Sequence, residues 1–382
     1  MLAETAPGSP SLGLYIHVPF CVARCHYCSF NTRAMEGGEM ARYLGALGRE
    51  IDLVAEVPWA ARVEIETIFL GGGTPSLLSA DELAAILDRV RARFRVAPGA
   101  EITVECNPES VTRETLRGYR GAGVNRLSLG VQSTDDAILA RLGRLHTARE
   151  ARQAFEAARA EGFANLSLDL MYGLPGLDAP AWRRAIDAVL EWEPEHLSAY
   201  GLTLDAGSRW GSAGVDGLPP EDTVVAQYRE LAGAAAARGF EHYEISNYAR
   251  PGFRSRHNQI YWRAAEYLAA GPGACGFVGE VRYQNAKPLA RYCDDLEAAA
   301  LPIDSFERLT ARQRLAERLI LGLRTADGVP SAWLAERLAG DARLRDRVET
   351  WRGQGLLREV DDRAWLTEHG FLLSDALFVE LL

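Results

Sequence analysis

Long apolar runs are missing from this sequence. A membrane-spanning helix needs roughly 18 consecutive apolar residues, and the nearest approach, residues 267–279, is shorter and broken by glycines. A secretory leader is missing too. The opening MLAETAPGSP has neither a basic start nor an apolar core, so a cytoplasmic location is expected. Cysteine is scarce, with six in 382 residues, too few to staple a chain of this length. In a reducing compartment, clustered cysteines point to metal. There is no basic excess: 42 basic against 52 acidic side chains leave a net charge of −10, which argues against a general nucleic-acid partner. No repeat of fixed period is visible. A hydrophobic share of 48% and a charged share of 25% exclude disorder. The length allows one large core and a smaller appendage.

Strand-like and helix-like segments alternate over the first 240 residues. Leu14–Val18, Thr67–Leu70, Ile102–Cys106, Asn125–Val131, Asn165–Tyr172 and His196–Leu204 read as six strands. Helical periods lie between them. One is opened by Ser79 as N-cap with Glu82 three residues on, and others cover Val111–Arg120 and Ala148–Ala160. This alternation implies parallel strands joined by right-handed crossovers, an α/β partial (βα)6 TIM-like barrel two units short of closure. Residues 241–304 are polar, aromatic and turn-rich, and read as short strands and loops. Residues 305–382 give a helix (Leu309–Arg324), two more helical stretches, the strand candidates LLREV and AWLTE, and a last apolar helix. That is the order of a winged-helix-like domain. Arginine and glutamate alternate along its helices, so a solvated packing role is expected in place of DNA binding.

The sharpest local signal is Cys21-x-x-x-Cys25-x-x-Cys28, just after the first strand. Three thiolates in one tight loop can hold three irons of a cubane cluster and leave the fourth open to a chelating ligand. A zinc knuckle with His17 or His26 as fourth ligand is the alternative, although no second hook follows. Cys106, Cys275 and Cys293 are scattered and read as plain thiols.

In context the triad becomes specific. YIHVPFCVARCHYC resembles the radical S-adenosylmethionine (SAM) signature, and GGGTPSLL resembles that family's glycine motif. ECNP, GVNRLSLGVQS, LGRLH, LDLMYGLPG and HLSAYGLT follow in the order of its oxygen-independent coproporphyrinogen III oxidase-like branch. The resemblance implies a radical SAM fold, a [4Fe–4S] cluster on Cys21, Cys25 and Cys28, and SAM on the fourth iron. It matches Tyr15, Tyr27, Gly72, Gly73, Thr74, Glu105, Gln132, Arg144 and Asp169 to SAM-contacting positions. The chemistry agrees with that assignment. Glycines let backbone approach a ligand closely, carboxylates at strand ends suit an amine or ribose hydroxyls, and an arginine offers a fork for a carboxylate.

The branch contains two function classes: an oxidase that decarboxylates two propionates, and a chaperone that binds haem and delivers it. Where the oxidase has a further cysteine two residues after the triad, this chain has Phe30. Only fourteen residues precede Tyr15, against a longer segment in the oxidase. His257, Asn258, Tyr261 and Trp262 form HNxxYW, which resembles the chaperone's haem-binding sequence. His257 is the expected axial ligand, and Tyr261 and Trp262 are expected to cover a porphyrin face. One departure is Cys275, standing where the family commonly shows histidine; it removes a polar contact or supplies an alternative thiolate, the first being preferred. The resemblance implies a haem donor, haem-requiring acceptors (membrane-bound respiratory enzymes among them), an electron donor and at most peripheral membrane contact.

Overall fold

A computed structural model describes residues 1–381. Its centre is an open sheet of twelve strands. In chain order they are β1 (Ser11–Val18), β2 (Glu64–Gly72), β3 (Arg95–Cys106), β4 (Arg126–Gln132), β5 (Leu166–Tyr172), β6 (His196–Gly201), β7 (Glu241–Glu244), β8 (Asn247–Ala249), β9 (Tyr267–Ala270), β10 (Cys275–Val278), β11 (Val281–Asn285) and β12 (Ile303–Arg308). The spatial order is β12-β11-β10-β9-β1-β2-β3-β4-β5-β6-β8-β7.

The strands β1 to β6 run parallel in sequence order. The helices Glu39–Ala55, Ala80–Arg93, Arg113–Gly121, Ala148–Ala160 and Ala179–Glu191 lie in their crossovers. These helices start where the sequence supplies caps. Ser79 with Glu82, and Thr147 with Glu150, form reciprocal capping boxes that satisfy otherwise orphan backbone donors. The strands alternate faces with period two. One side chain in two (Leu14, Ile16, Leu127, Leu129, Leu166, Leu168) packs into the apolar layer under the helices. The other half faces inward and carries polar groups.

All six expected strands differ from the sequence expectation at one end or both, and the largest difference is at β3. β3 begins at Arg95, seven residues before the expected Ile102, because Arg95 and Val96 already pair with Glu64 and Ile65 across a register shift in β2. The stretch after residue 240 does not stand apart from the sheet. Its strands extend both edges, and β9 adds a seventh parallel strand on the free side of β1, Tyr15 pairing with Ala269. A boundary at 305 would cut β12, which pairs antiparallel with β11.

The C-terminal region has its own apolar core, built around Leu319, Leu334, Val348, Trp351, Leu366 and Phe378. Three helices (Ala311–Gly322, Ser331–Leu338, Ala342–Gly353) and the paired strands Leu357–Val360 and Arg363–Leu366 give it winged-helix order, and Val329–Pro330 adds a third short strand. It joins the sheet through backbone bonds from Ile245 N–H to Arg324 O (3.0 Å) and from Ala326 N–H to Tyr243 O (2.9 Å). Glu244 sits in this junction, fully buried. Its Oε2 accepts from Ser246 N–H at 3.1 Å, while Oε1 has no partner.

Burial raises the Glu244 carboxyl from 4.5 to about 7. Between those two pH values the folded chain keeps a proton that the unfolded chain has released, so stability falls as pH rises. Denaturant titrations from pH 4.5 to 7 should show a shallower fall for Glu244→Gln than for the unchanged chain; parallel profiles would reject the assignment.

Candidate cofactor and ligand site

The cysteine loop is tied down at both ends and along its length. Phe20–Cys21 pairs in parallel with Arg33–Ala34, closing a loop that carries Cys25 and Cys28. His26 N–H donates to Leu142 O (3.0 Å), and Trp210 N–H to His26 O (2.9 Å). Asn31 Nδ2 donates to Pro272 O (2.9 Å) and Ser29 Oγ to Asp205 Oδ2 (2.7 Å). The loop is therefore stretched across the C-terminal ends of the parallel strands, the functional rim of such sheets. All three thiols are free and half-buried, and they line one cavity of about 420 Å³. The zinc alternative lacks its fourth ligand. His17 uses both ring nitrogens on Tyr15 Oη and Asn31 O, and His26 uses its own on Arg141 O and Arg209.

Tyr27, Gly72, Gly73, Thr74, Glu105, Gln132, Arg144 and Asp169 line the same cavity. Arg144 reaches Cys25 Sγ with Nη1 (3.6 Å), and its Nη2 donates to Asn107 Oδ1 (2.7 Å) and Gly130 O (2.9 Å). Gln132 has φ of 64°, an uncommon conformation for a residue with a side chain, of the kind found where a site holds the backbone. Its Oε1 accepts from Tyr200 Oη at 2.8 Å. Glu105 accepts from Gly72 N–H (3.0 Å) and Asp169 from Ser128 Oγ (2.9 Å). Burial raises Asp169 to about 7, and burial together with the neighbouring Asp169 charge raises Glu105 to about 7. Two buried acids facing a cavity suit an ammonium and vicinal hydroxyls, which an amino-acid nucleoside carries. Tyr15 is placed differently: it lines a second cavity, of about 460 Å³, behind the shared wall residues Gly72 and Glu105.

The glycines have another structural reason besides ligand approach. A Cβ on Gly73 would lie 2.5 Å from Phe20 O, and one on Gly72 would strike the His17 ring. Bare backbone is needed there so that the chain entering the cysteine loop can rest on the glycine loop. Gly73 N–H donates to Val18 O (2.8 Å) and Thr74 N–H to Phe20 O (2.7 Å) across that contact.

The haem-motif residues part company. Ser255 caps the short helix Arg256–Trp262. Glu101 accepts from the N–H groups of Arg256 and His257 (3.0 and 2.9 Å), a carboxylate at a helix start. From this helix Asn258 reaches the first cavity and Tyr261 the second. Trp262 faces a separate cleft of about 240 Å³ against Trp333 and Arg318. His257 is 0% exposed. One ring nitrogen bonds Thr67 Oγ1 (2.7 Å) and the other Tyr261 Oη (2.8 Å), and Phe69 stacks on the ring at 5.1 Å. Burial and the charge of Arg126 lower its pKa to about 3, which keeps it neutral. Its partners lie in β2 and one turn along its own helix, and they take both ring nitrogens. Cys275 is exposed and lines the second cavity, with Gln284 Nε2 donating to it at 3.1 Å.

Sequence reasoning missed Arg126 and Asn107. Arg126 lines the first cavity, 2% exposed, with its Nε unpartnered. The signal was one charged residue at the start of the apolar run of β4, in register with Thr103. Asn107 lies inside the ECNP segment and holds Arg144.

Three free thiols, a glycine turn and buried acids on the rim of parallel strands define a radical SAM protein. The Radical SAM superfamily profile matches residues 15–189, and the HemN C-terminal domain profile matches residues 309–373. The chain is 40% identical to heme chaperone HemW of Mycobacterium tuberculosis (98% of this chain, 96% of that one). It is 36% identical to the Escherichia coli protein of that name (96% and 97%). The solved structure of coproporphyrinogen III oxidase (HemN) from Escherichia coli, a radical SAM enzyme, superposes with TM-score 0.85 over 100% of this chain and 92% of that one at 22% identity, which shows the fold. The chain belongs to the HemW family within the radical SAM superfamily. Membership implies a [4Fe–4S] cluster and SAM, and the residues of the first cavity fit both. Cys21, Cys25 and Cys28 would hold the irons and Gly72 to Thr74, Glu105, Gln132, Arg144 and Asp169 the SAM. When bound, the pair would supply reductive cleavage of a sulfonium C–S bond.

Gly73→Ala should cost about 1–3 kcal/mol, the usual range for an overpacked site, and lower the iron bound after anaerobic reconstitution. Unchanged melting and iron content would show that the Phe20 contact yields freely.

Proposed function

We propose that this protein is a haem chaperone that takes up haem beside a cluster- and SAM-binding cavity and hands it to haem-requiring acceptors. One observation carries the reading: the cofactor cavity adjoins a second, aromatic cavity, and Phe30 lines both. Phe30 is 66% exposed, and it stands where the oxidase resemblance calls for another cysteine. The second cavity is walled by Tyr15, Tyr261, Tyr267 and Phe30, aromatic faces that suit a flat apolar cargo. The names of the full-length relatives point the same way.

Membrane-bound respiratory enzymes are the proposed acceptors, reached by peripheral contact. No helix among the described residues is long and apolar enough to cross a membrane. A separate electron donor would serve any SAM cleavage.

Anaerobic reconstitution should give about four irons per chain, and Cys25→Ala should lose them. Haem titration should give a Soret band on the reconstituted protein. A parallel anaerobic assay with coproporphyrinogen III should give no protoporphyrinogen; steady turnover there would replace the chaperone reading with the oxidase.

A further inference from the structure

Arg126 opens β4 and Gln132 closes it, so the two lie on the order of 20 Å apart at about 3.3 Å per residue. Gln132 belongs to the rim, beside the cysteine loop. Arg126 belongs to the floor of the same cavity of about 420 Å³. It is a cation 2% exposed, and the chain gives it no anion. Its Nε has no hydrogen-bond partner. No carboxylate among the described residues pairs with it: Glu105 accepts from Gly72 N–H (3.0 Å) and Asp169 from Ser128 Oγ (2.9 Å), both higher on the strands. His196 lines the same cavity and is neutral, because burial and the charge of Arg126 lower its pKa. Its ring nitrogens bond Ser167 Oγ and Tyr243 Oη, both at 2.8 Å. Beside Arg126 in register stands Thr103, 0% exposed, whose Oγ1 has no partner either. Two buried donors therefore lie side by side without an acceptor, and an isolated buried charge is costly.

We propose that the floor of the first cavity is a carboxylate subsite, with Arg126 as its cation and Thr103 as its second donor. The guanidinium fork matches a planar carboxylate, two N–H groups to two oxygens, and the Thr103 hydroxyl can add a third hydrogen bond. A phosphate dianion fits less well, since two acids, Glu105 and Asp169, stand above the floor and few donors do. The carboxylate is not that of the SAM at the rim, which would chelate iron about a strand's length away. Here the inference rests on the cofactor reading of the first cavity. In that reading Glu105 and Asp169 serve the ammonium and hydroxyls of SAM, so no second ammonium is met next to the floor. The fitting ligand is thus an acid without positive charge: a small organic acid, or a propionate arm of a porphyrin. Binding needs no covalent step. It turns a lone buried cation into a buried pair with its hydrogen bonds made, the arrangement in which an interior charge is tolerated.

The test uses the full-length, reconstituted protein with SAM bound, and three probes: sodium propionate, hemin, and hemin dimethyl ester, whose arms carry no charge. A porphyrin source predicts that hemin binds roughly tenfold more tightly than its ester. A small-acid source predicts equal binding of the two and a melting temperature raised by propionate alone. In either case Arg126→Met should abolish the effect and Arg126→Lys should restore part of it. Without any probe, Arg126→Met should melt no lower than the unchanged chain and keep its iron, because a buried cation without a partner loses nothing to an apolar side chain of similar length. A lower melting temperature would overturn the subsite by making Arg126 a structural cation. An unchanged chain that answers to none of the probes would overturn it too, as would Arg126→Met that answers to them fully. So would a fall in SAM bound per chain in Arg126→Met with the other probes unaffected. A chain that takes up no cluster would sink the cofactor reading; the propionate arm, read on the iron-free chain, would still decide this one.

Discussion

Two backbone hydrogen bonds hold the cofactor end together, Gly73 N–H to Val18 O and Thr74 N–H to Phe20 O. They clamp the chain leaving β1 onto the turn leaving β2 at a separation only glycine permits. The cysteine loop begins at Phe20 and the ligand cradle at Gly72, so this clamp sets the distance between them. Everything farther out is fastened in turn. Arg144 reaches back to Cys25, Asn107 orients Arg144, and Thr74 Oγ1 accepts from Asn107 Nδ2 at 3.0 Å. These bonds tie one strand end to the next, while Arg144 Nε has no hydrogen-bond partner of its own.

The parallel strands gather these groups because they are in register. Phe69 lies beside Thr103 and Thr103 beside Arg126; Glu105 lies beside Ser128, and Ser128 beside Ser167. Each pair shares a face, so the interior of the partial barrel is lined row by row with polar groups, while the intervening residues make the apolar layer beneath the helices. The helix Arg256–Trp262 then closes the interior, its start held by Glu101 and its histidine set under Phe69.

Much of this was legible in the sequence, for local reasons. The six strands announce themselves by short apolar runs between helical periods. The capping pairs at Ser79 and Thr147 are read in a few residues, and the cysteine spacing is contained in one loop. What escaped was non-local. β9 is four residues before a Gly-Pro-Gly turn and gives no sign that it will pair with β1. The early start of β3 hides behind Pro98 and Gly99, which read as a turn. The burial of His257 depends on Thr67, Phe69 and Glu101, more than 150 residues away in the chain. A motif shows which residue types lie close together; it does not show which of them faces inward.

Phe30, Gly72 and Glu105 are walls of both cavities. Two chambers with a common partition cannot be filled as strangers. Whatever an occupant of one does to that partition is presented to the occupant of the other, and thermodynamic linkage makes the effect mutual and equal in free energy. Loading of the cofactor and loading of the cargo are in this sense two readings of one balance.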